Sequence, residues 1–123
     1  MKFYICNHCK NIITFISDKG VKVKCCGEDM TEIIAGSVDA ATEKHVPVVN
    51  VGGNLVKVSI GEVAHPMTEE HYIDFVCLET DKGHQIKYLN PTDKPYCEFA
   101  LAESESVVNV YAHCNLHGLW KAN

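Results

Sequence analysis

Nine side chains have the type and spacing to hold metal, and they fall into two sets. Cys6 and Cys9 form a Cys-x2-Cys pair, and Cys25 and Cys26 follow as direct neighbours. His45, His65 and His71 are joined much later by Cys114-x2-His117. Four thiolates meeting at about 2.3 Å from one ion make a closed tetrahedral site, which holds a fold or passes electrons. Four imidazoles and a thiolate make a five-ligand site with one coordination position open, and an open position does chemistry on a small ligand.

Each set has a plainer reading. The four cysteines alone suit zinc as well as iron, and a zinc ribbon would only fold its module. The adjacent pair Cys25-Cys26 is unusual, because neighbouring side chains rarely point the same way, and bridging them as a disulfide would need a strained ring. A lone histidine is more often a surface or core residue than a ligand. Here His65 and His71 bracket a short loop, Pro66 to Glu70, that can bend both rings towards one point. His45 precedes Val46-Pro47, where proline restricts the backbone before it. Five ligands exceed the usual zinc set, and neutral imidazoles with a thiolate suit ferrous iron. Glu43 and Lys44 stand beside His45: the lysine can attract a small anion and the carboxylate can cap the iron, although such a pair is ordinarily a solvated loop. His84 in a turn, His113 and the knuckle's His8 are read as non-ligands, and Cys77 and Cys97 as buried small apolar residues.

Two kinds of element must carry these groups. Residues 1–36 read as a module too small to bury an adequate core, so metal would staple it. Asn11 to Ile16 and Val21 to Lys24 read as a hairpin around Asp18-Lys19-Gly20, with ligands at its ends. Residues 37–123 read as short strands separated by turns: 46–51, 55–60, 72–79, 85–89, 96–102 and 107–112. Val56 to Ile60 alternates cleanly, and no segment has a convincing helical period. The expectation is an all-β chain whose second part is an antiparallel sandwich.

Bulk composition narrows the classes further. A net charge of −5 with no basic stripe argues against nucleic acid, and no apolar run approaches a membrane span. Seven cysteines, an odd number, occur without a secretory signal pattern, so reduced thiols binding metal in a cytoplasm are expected rather than disulfides.

At these residues the chain resembles a known family. Cys6-x2-Cys9 with Cys25-Cys26 is similar to the desulforedoxin-type iron module. Glu43-Lys44-His45-Val46-Pro47, His65 to Ile73, and Cys114 to Trp120 are similar to the catalytic domain of superoxide reductases. Together they resemble the two-iron class, the desulfoferrodoxins, over essentially the whole chain. The resemblance implies an Fe(Cys)4 centre and an Fe(His)4Cys centre, with His45, His65, His71 and His117 equatorial and Cys114 axial. It implies one-electron reduction of superoxide to hydrogen peroxide, an immunoglobulin-like sandwich, a homodimer and a rubredoxin-like electron donor in the cytoplasm. It gives Lys44 a part in superoxide binding and Glu43 the sixth position of the oxidised iron. One departure is Lys10, where the family often has a glycine suited to positive φ; another backbone solution is expected there. The competing readings are an iron electron carrier without a substrate and a zinc-binding structural module.

Overall fold

The computed structural model describes all residues, 1–123. It divides into two compact units, Met1–Ile34 and Ala35–Asn123, and it is nearly all β.

In the first unit β1 (Phe3–Ile5) lies between β2 (Ile12–Thr14) and β5 (Thr31–Ile33), antiparallel to both. β3 (Lys24–Cys25) and β4 (Glu28–Asp29) form a separate two-stranded ladder. The expected hairpin between residues 11–16 and 21–24 does not form: Ile12 to Thr14 pairs with β1 and Val21 to Val23 is not a strand. Local alternation cannot choose a strand's partner; the Cys6–Cys9 knuckle is itself the loop that joins β1 to β2. Only Phe3 and Cys6 are buried in this unit, while Ile16 is 96% exposed and Val21 74%. So little burial cannot offset the conformational entropy of some thirty residues, which leaves stability to the thiol cluster.

The second unit begins with a single helical turn, α1 (Thr42–His45), closed by Val46 N–H donating to the Thr42 carbonyl at 3.0 Å. Four residues are too few to show a period, and Pro47 stops the turn from continuing. Then follow β6 (Pro47–Gly52), β7 (Leu55–Ile60), β8 (Ile73–Thr80), β9 (Gly83–Tyr88), β10 (Tyr96–Ala100), β11 (Val107–Cys114) and β12 (Gly118–Lys121). They form a three-stranded sheet ordered β10-β7-β6 and a four-stranded sheet ordered β12-β11-β8-β9, with every pairing antiparallel. Val56, Val58, Ile60 and Phe99 of the first sheet share one core with Ile73, Val76, Leu78, Val110 and Ala112 of the second. Each of the larger side chains contributes roughly 1.5–3 kcal/mol of burial. β12 was not among the expected strands, because it is short and follows the Cys114 loop directly.

Candidate metal centres

The four thiols of the first unit converge because two turns aim them. Cys6 N–H donates to Asn11 O at 2.9 Å and Lys10 N–H to Cys6 O at 3.0 Å, closing the knuckle around Cys6 and Cys9. Lys10 holds φ at 67°, so the backbone keeps the left-handed conformation although no glycine is present. Its Nζ donates to the Asn7 carbonyl at 2.9 Å, which helps to hold the strained turn. Cys25 and Cys26 answer their own puzzle through turn chemistry. Cys25 opposes Glu28 at the end of the β3–β4 ladder, and the two residues between, Cys26 and Gly27, have φ of 52° and 79°. Positive φ at both central positions is the type I′ hairpin requirement, and it swings Cys26 to the side of Cys25.

All four sulfurs lie within 4.8 Å of one another. The Cys9 amide beside its sulfur pulls the Cys6 thiol down to about 6, while hydrogen bonds to Cys6 and Cys9 push the Cys26 thiol up to about 12. Thiols this close share protons instead of ionising together, so a bound cation is what would allow four thiolates. Asn11 Nδ2 donates to Cys25 Sγ at 3.8 Å, and His8 lies on the surface against Glu28 at 3.4 Å.

The second set is brought together by three loops at one end of the sandwich. α1 delivers His45, the loop after β7 delivers His65 and His71, the last residue of β11 is Cys114, and the turn before β12 delivers His117. One ring nitrogen each from His45, His65 and His71 and the Cys114 sulfur lie within 4.8 Å of one another. His117 Nδ1 stands beside them, 3.2 Å from His45 Nε2 and 3.8 Å from Cys114 Sγ. Two rings are keyed by their other nitrogen: His45 Nδ1 meets the Ala41 carbonyl and His65 Nδ1 the Pro66 carbonyl, each at 2.7 Å. A carbonyl on Nδ1 makes that nitrogen the N–H donor and leaves Nε2 with its lone pair facing the cluster.

The electrostatics fit a metal. Burial lowers the pKa of His65 to about 4, and burial also lowers those of His45 and His71, so all three are neutral near pH 7. His71 Nε2 is buried with no hydrogen-bond partner, an orphan that coordination would satisfy. Burial raises the Cys114 thiol, against the pull of the Leu116 and His117 amides, so a thiolate there needs a cation.

Glu43 and Lys44 are carried by α1, and α1 is gripped from below. Gly61, at φ 86°, packs so tightly that an added Cβ would fall 2.4 Å from Val63 O and 2.6 Å from Lys44 O. Gly61 N–H donates to Val46 O at 3.2 Å and Val63 N–H to Glu43 O at 3.0 Å. Both the acidic and the basic side chain are exposed; Glu43 lines a recess of about 360 Å³ with Thr42, Val46, Pro47 and Glu62. Lys44 is near enough for its charge to add to the lowering of His71 and His45.

Asn115 lies inside the Cys114–Trp120 motif and His113 beside it, but what their side chains bond had no signal in the sequence. Asn115 ties the two histidine-bearing loops: its Oδ1 accepts from Tyr72 N at 2.9 Å and its Nδ2 donates to Glu70 O at 3.0 Å. His113, expected to point away from Cys114, is buried on the other face of β11, bonded to Asp74 at 2.7 Å and stacked on Phe75. The register shift there pairs Cys114 with Ile73, past Asp74. That bulge turns Ile73 into the core and Asp74 towards His113, placing Cys114 at the buried end of its strand. Cys77 is fully buried and Cys97 partly so; His84 is exposed.

Known proteins share this architecture. Residues 37–123 match the profile of the family described as Desulfoferrodoxin. A desulfoferrodoxin from Nitratidesulfovibrio vulgaris is 43% identical over 121 residues, covering 98% of this chain and 94% of that protein. The crystal structure of the superoxide reductase from Treponema pallidum superposes with a TM-score of 0.84 at 43% identity, covering 99% of this chain and 98% of that one. A one-iron superoxide reductase from Giardia intestinalis, 33% identical with a TM-score of 0.56, covers 64% of this chain and 94% of its own. With a four-cysteine cluster and a His/Cys cluster consistent with two iron centres, and with full-length relatives at this identity, the chain belongs to the desulfoferrodoxin family.

Proposed function

We propose that this protein is a superoxide reductase, converting superoxide to hydrogen peroxide with one electron and two protons and releasing no dioxygen. The observation that carries the reading is the convergence of His45, His65, His71 and Cys114, with a buried His71 Nε2 that has no other partner. Relatives named superoxide reductase, one of them matched along nearly the whole chain, support it.

In this reading residues 37–123 are the catalytic domain, and His45, His65, His71, His117 and Cys114 hold iron. Iron held by these residues would supply a one-electron couple for a small oxygen ligand, and the Cys114 thiolate would make it a better electron donor. The chain's own residues do the rest. Four neutral imidazoles and one thiolate would leave ferrous iron with a net positive charge, and Lys44 would add to its attraction for an anion at this end of the sandwich. The Lys44 ammonium would order water near the open coordination position, and that water would pass protons to the departing peroxide. Glu43 shares the same helical turn and would swing its carboxylate in when no anion is bound. His45, His65 and Cys114 are themselves buried, which keeps bulk water from their donor atoms.

Residues 1–36 form the second metal module, with Cys6, Cys9, Cys25 and Cys26 holding iron. A rubredoxin-like protein as electron donor, a homodimer and a cytoplasmic location complete the proposal. No helix is long and apolar enough to cross a membrane.

Pulse radiolysis of the reduced, iron-loaded protein tests the reading. One peroxide per superoxide consumed, with no dioxygen and with return of the thiolate-to-iron band that reduction had bleached, supports it. Half a peroxide with dioxygen release would indicate dismutation, and no reaction would leave an electron carrier. A Lys44→Ala change should slow the encounter several-fold and flatten its dependence on salt; an unchanged rate removes Lys44 from the proposal.

A further inference from the structure

Trp120 is the only tryptophan of the chain and is 3% exposed. It lies on β12, a strand that bears no ligand. Its indole is stacked on the His45 imidazole, ring centroids 4.9 Å apart and planes 26° from parallel. The same indole donates Nε1–H to the His117 carbonyl oxygen at 3.1 Å. The His45 and His117 rings meet edge to face, 5.0 Å apart at 89°.

These contacts constrain what the ring-nitrogen bonds leave free. The bond from His45 Nδ1 to Ala41 O fixes where Nε2 points, yet the ring can still tilt about that bond. An indole face against the imidazole removes the tilt. The bond to His117 O fixes the height of the Cys114–His117 turn at its last residue.

We propose that Trp120 is a positioning residue of the His/Cys centre, setting the plane of His45 and the seat of His117, two donors 72 residues apart. The proposal rests on the reading of His45 and His117 as metal ligands. It is linked to metal for a physical reason: an imidazole that gives electron density to a cation becomes electron-poor, and an electron-rich indole face then attracts it more strongly. Loss of the indole should therefore weaken metal retention beyond its effect on the metal-free fold.

Because Trp120 is the sole tryptophan, its fluorescence reports on this centre. Cobalt(II) is added to the full-length chain, and binding is followed by quenching in the wild type and by the His/Cys ligand-field bands in every form. Dissociation into excess chelator is compared for wild type, Trp120→Phe and Trp120→Leu, with four-thiolate cobalt absorption as the internal control. The expected result is loss at least tenfold faster from Trp120→Leu and several-fold faster from Trp120→Phe, with shifted ligand-field bands and an unchanged four-thiolate signal. Trp120→Phe keeps a ring in the core, so it decides the matter if the leucine variant does not fold.

A purely structural tryptophan would lower the metal-free melting temperature while the folded variant kept wild-type bands and dissociation rate; that result overturns the proposal. Faster loss from the variants together with no superoxide turnover by the iron-loaded wild type keeps the clamp and removes the reductase reading. Full turnover by the iron-loaded wild type with unchanged cobalt retention in Trp120→Phe removes the clamp alone. No cobalt quenching in wild type removes both.

Discussion

In the N-terminal unit four donors come from two turns within residues 6–26, in a unit where only Phe3 and Cys6 are buried. At the end of the sandwich the donors span residues 45–117; His45, His65 and Cys114 are buried, and His71 and His117 are half-buried. The first centre is made by backbone conformation: a left-handed Lys10 and a two-residue hairpin turn at Cys26-Gly27. The second is made by packing between segments: α1, the loop after β7 and the β11–β12 turn meet there, Asn115 ties two of them together, and the Trp120 ring stacks on His45. The difference teaches that one unit needs its metal to exist, whereas the other exists first and presents its donors. It also matches the chemistry: Cys9 and Cys26 leave their cluster open to the surface, while His45, His65 and Cys114 are buried and His71 and His117 half-buried.

The sharpest way to break this contrast is to strip the metals. A strong chelator should unfold Met1–Ile34 and leave Ala35–Asn123 intact, because structural metal binding supplies on the order of 10 kcal/mol to a module of this size. Amide hydrogen exchange before and after chelation reads it residue by residue. Protection retained throughout the first unit would refute the dependence.

Gly61→Ala comes next. The substitution meets two backbone oxygens and a left-handed φ, and should cost about 3 kcal/mol, displacing α1 with Glu43 and Lys44. Chemical denaturation of the sandwich should register it, while the four-thiolate spectrum stays put. Asn115→Ala removes two bonds between the histidine loops and should cost about 1–2 kcal/mol, with faster metal loss from the second centre only. Equal loss from both centres would show that the units are not independent in this respect.

The smallest effect sharpens the comparison from the other side. Lys10→Gly relieves a left-handed lysine but loses the bond to Asn7 O, so a net gain of at most about 1 kcal/mol is expected. It should appear as a slower release of metal from the four-cysteine cluster. Destabilisation would mean that the Nζ–carbonyl bond outweighs the strain.

Residue type and spacing alone determined which side chains are candidate donors, because few arrangements place Cys-x2-Cys, an adjacent cysteine pair and Cys-x2-His in one short chain. Alternation at Val56, Val58 and Ile60 likewise determined a strand with one buried face, since the side-chain period of two is local. Membership of the desulfoferrodoxin family was legible in the same motifs. Tertiary structure decided what local signals do not encode: that Ile12 to Thr14 pairs with β1, that Cys26 turns towards Cys25, and that a bulge seats Cys114. It also decided the service of Gly61, Asn115 and Trp120, whose chemistry is silent until the fold brings them against Lys44, the histidine loops and His45. Donor identity is a property of side chains, whereas donor geometry depends on contacts between segments far apart in sequence, and only folding makes those contacts.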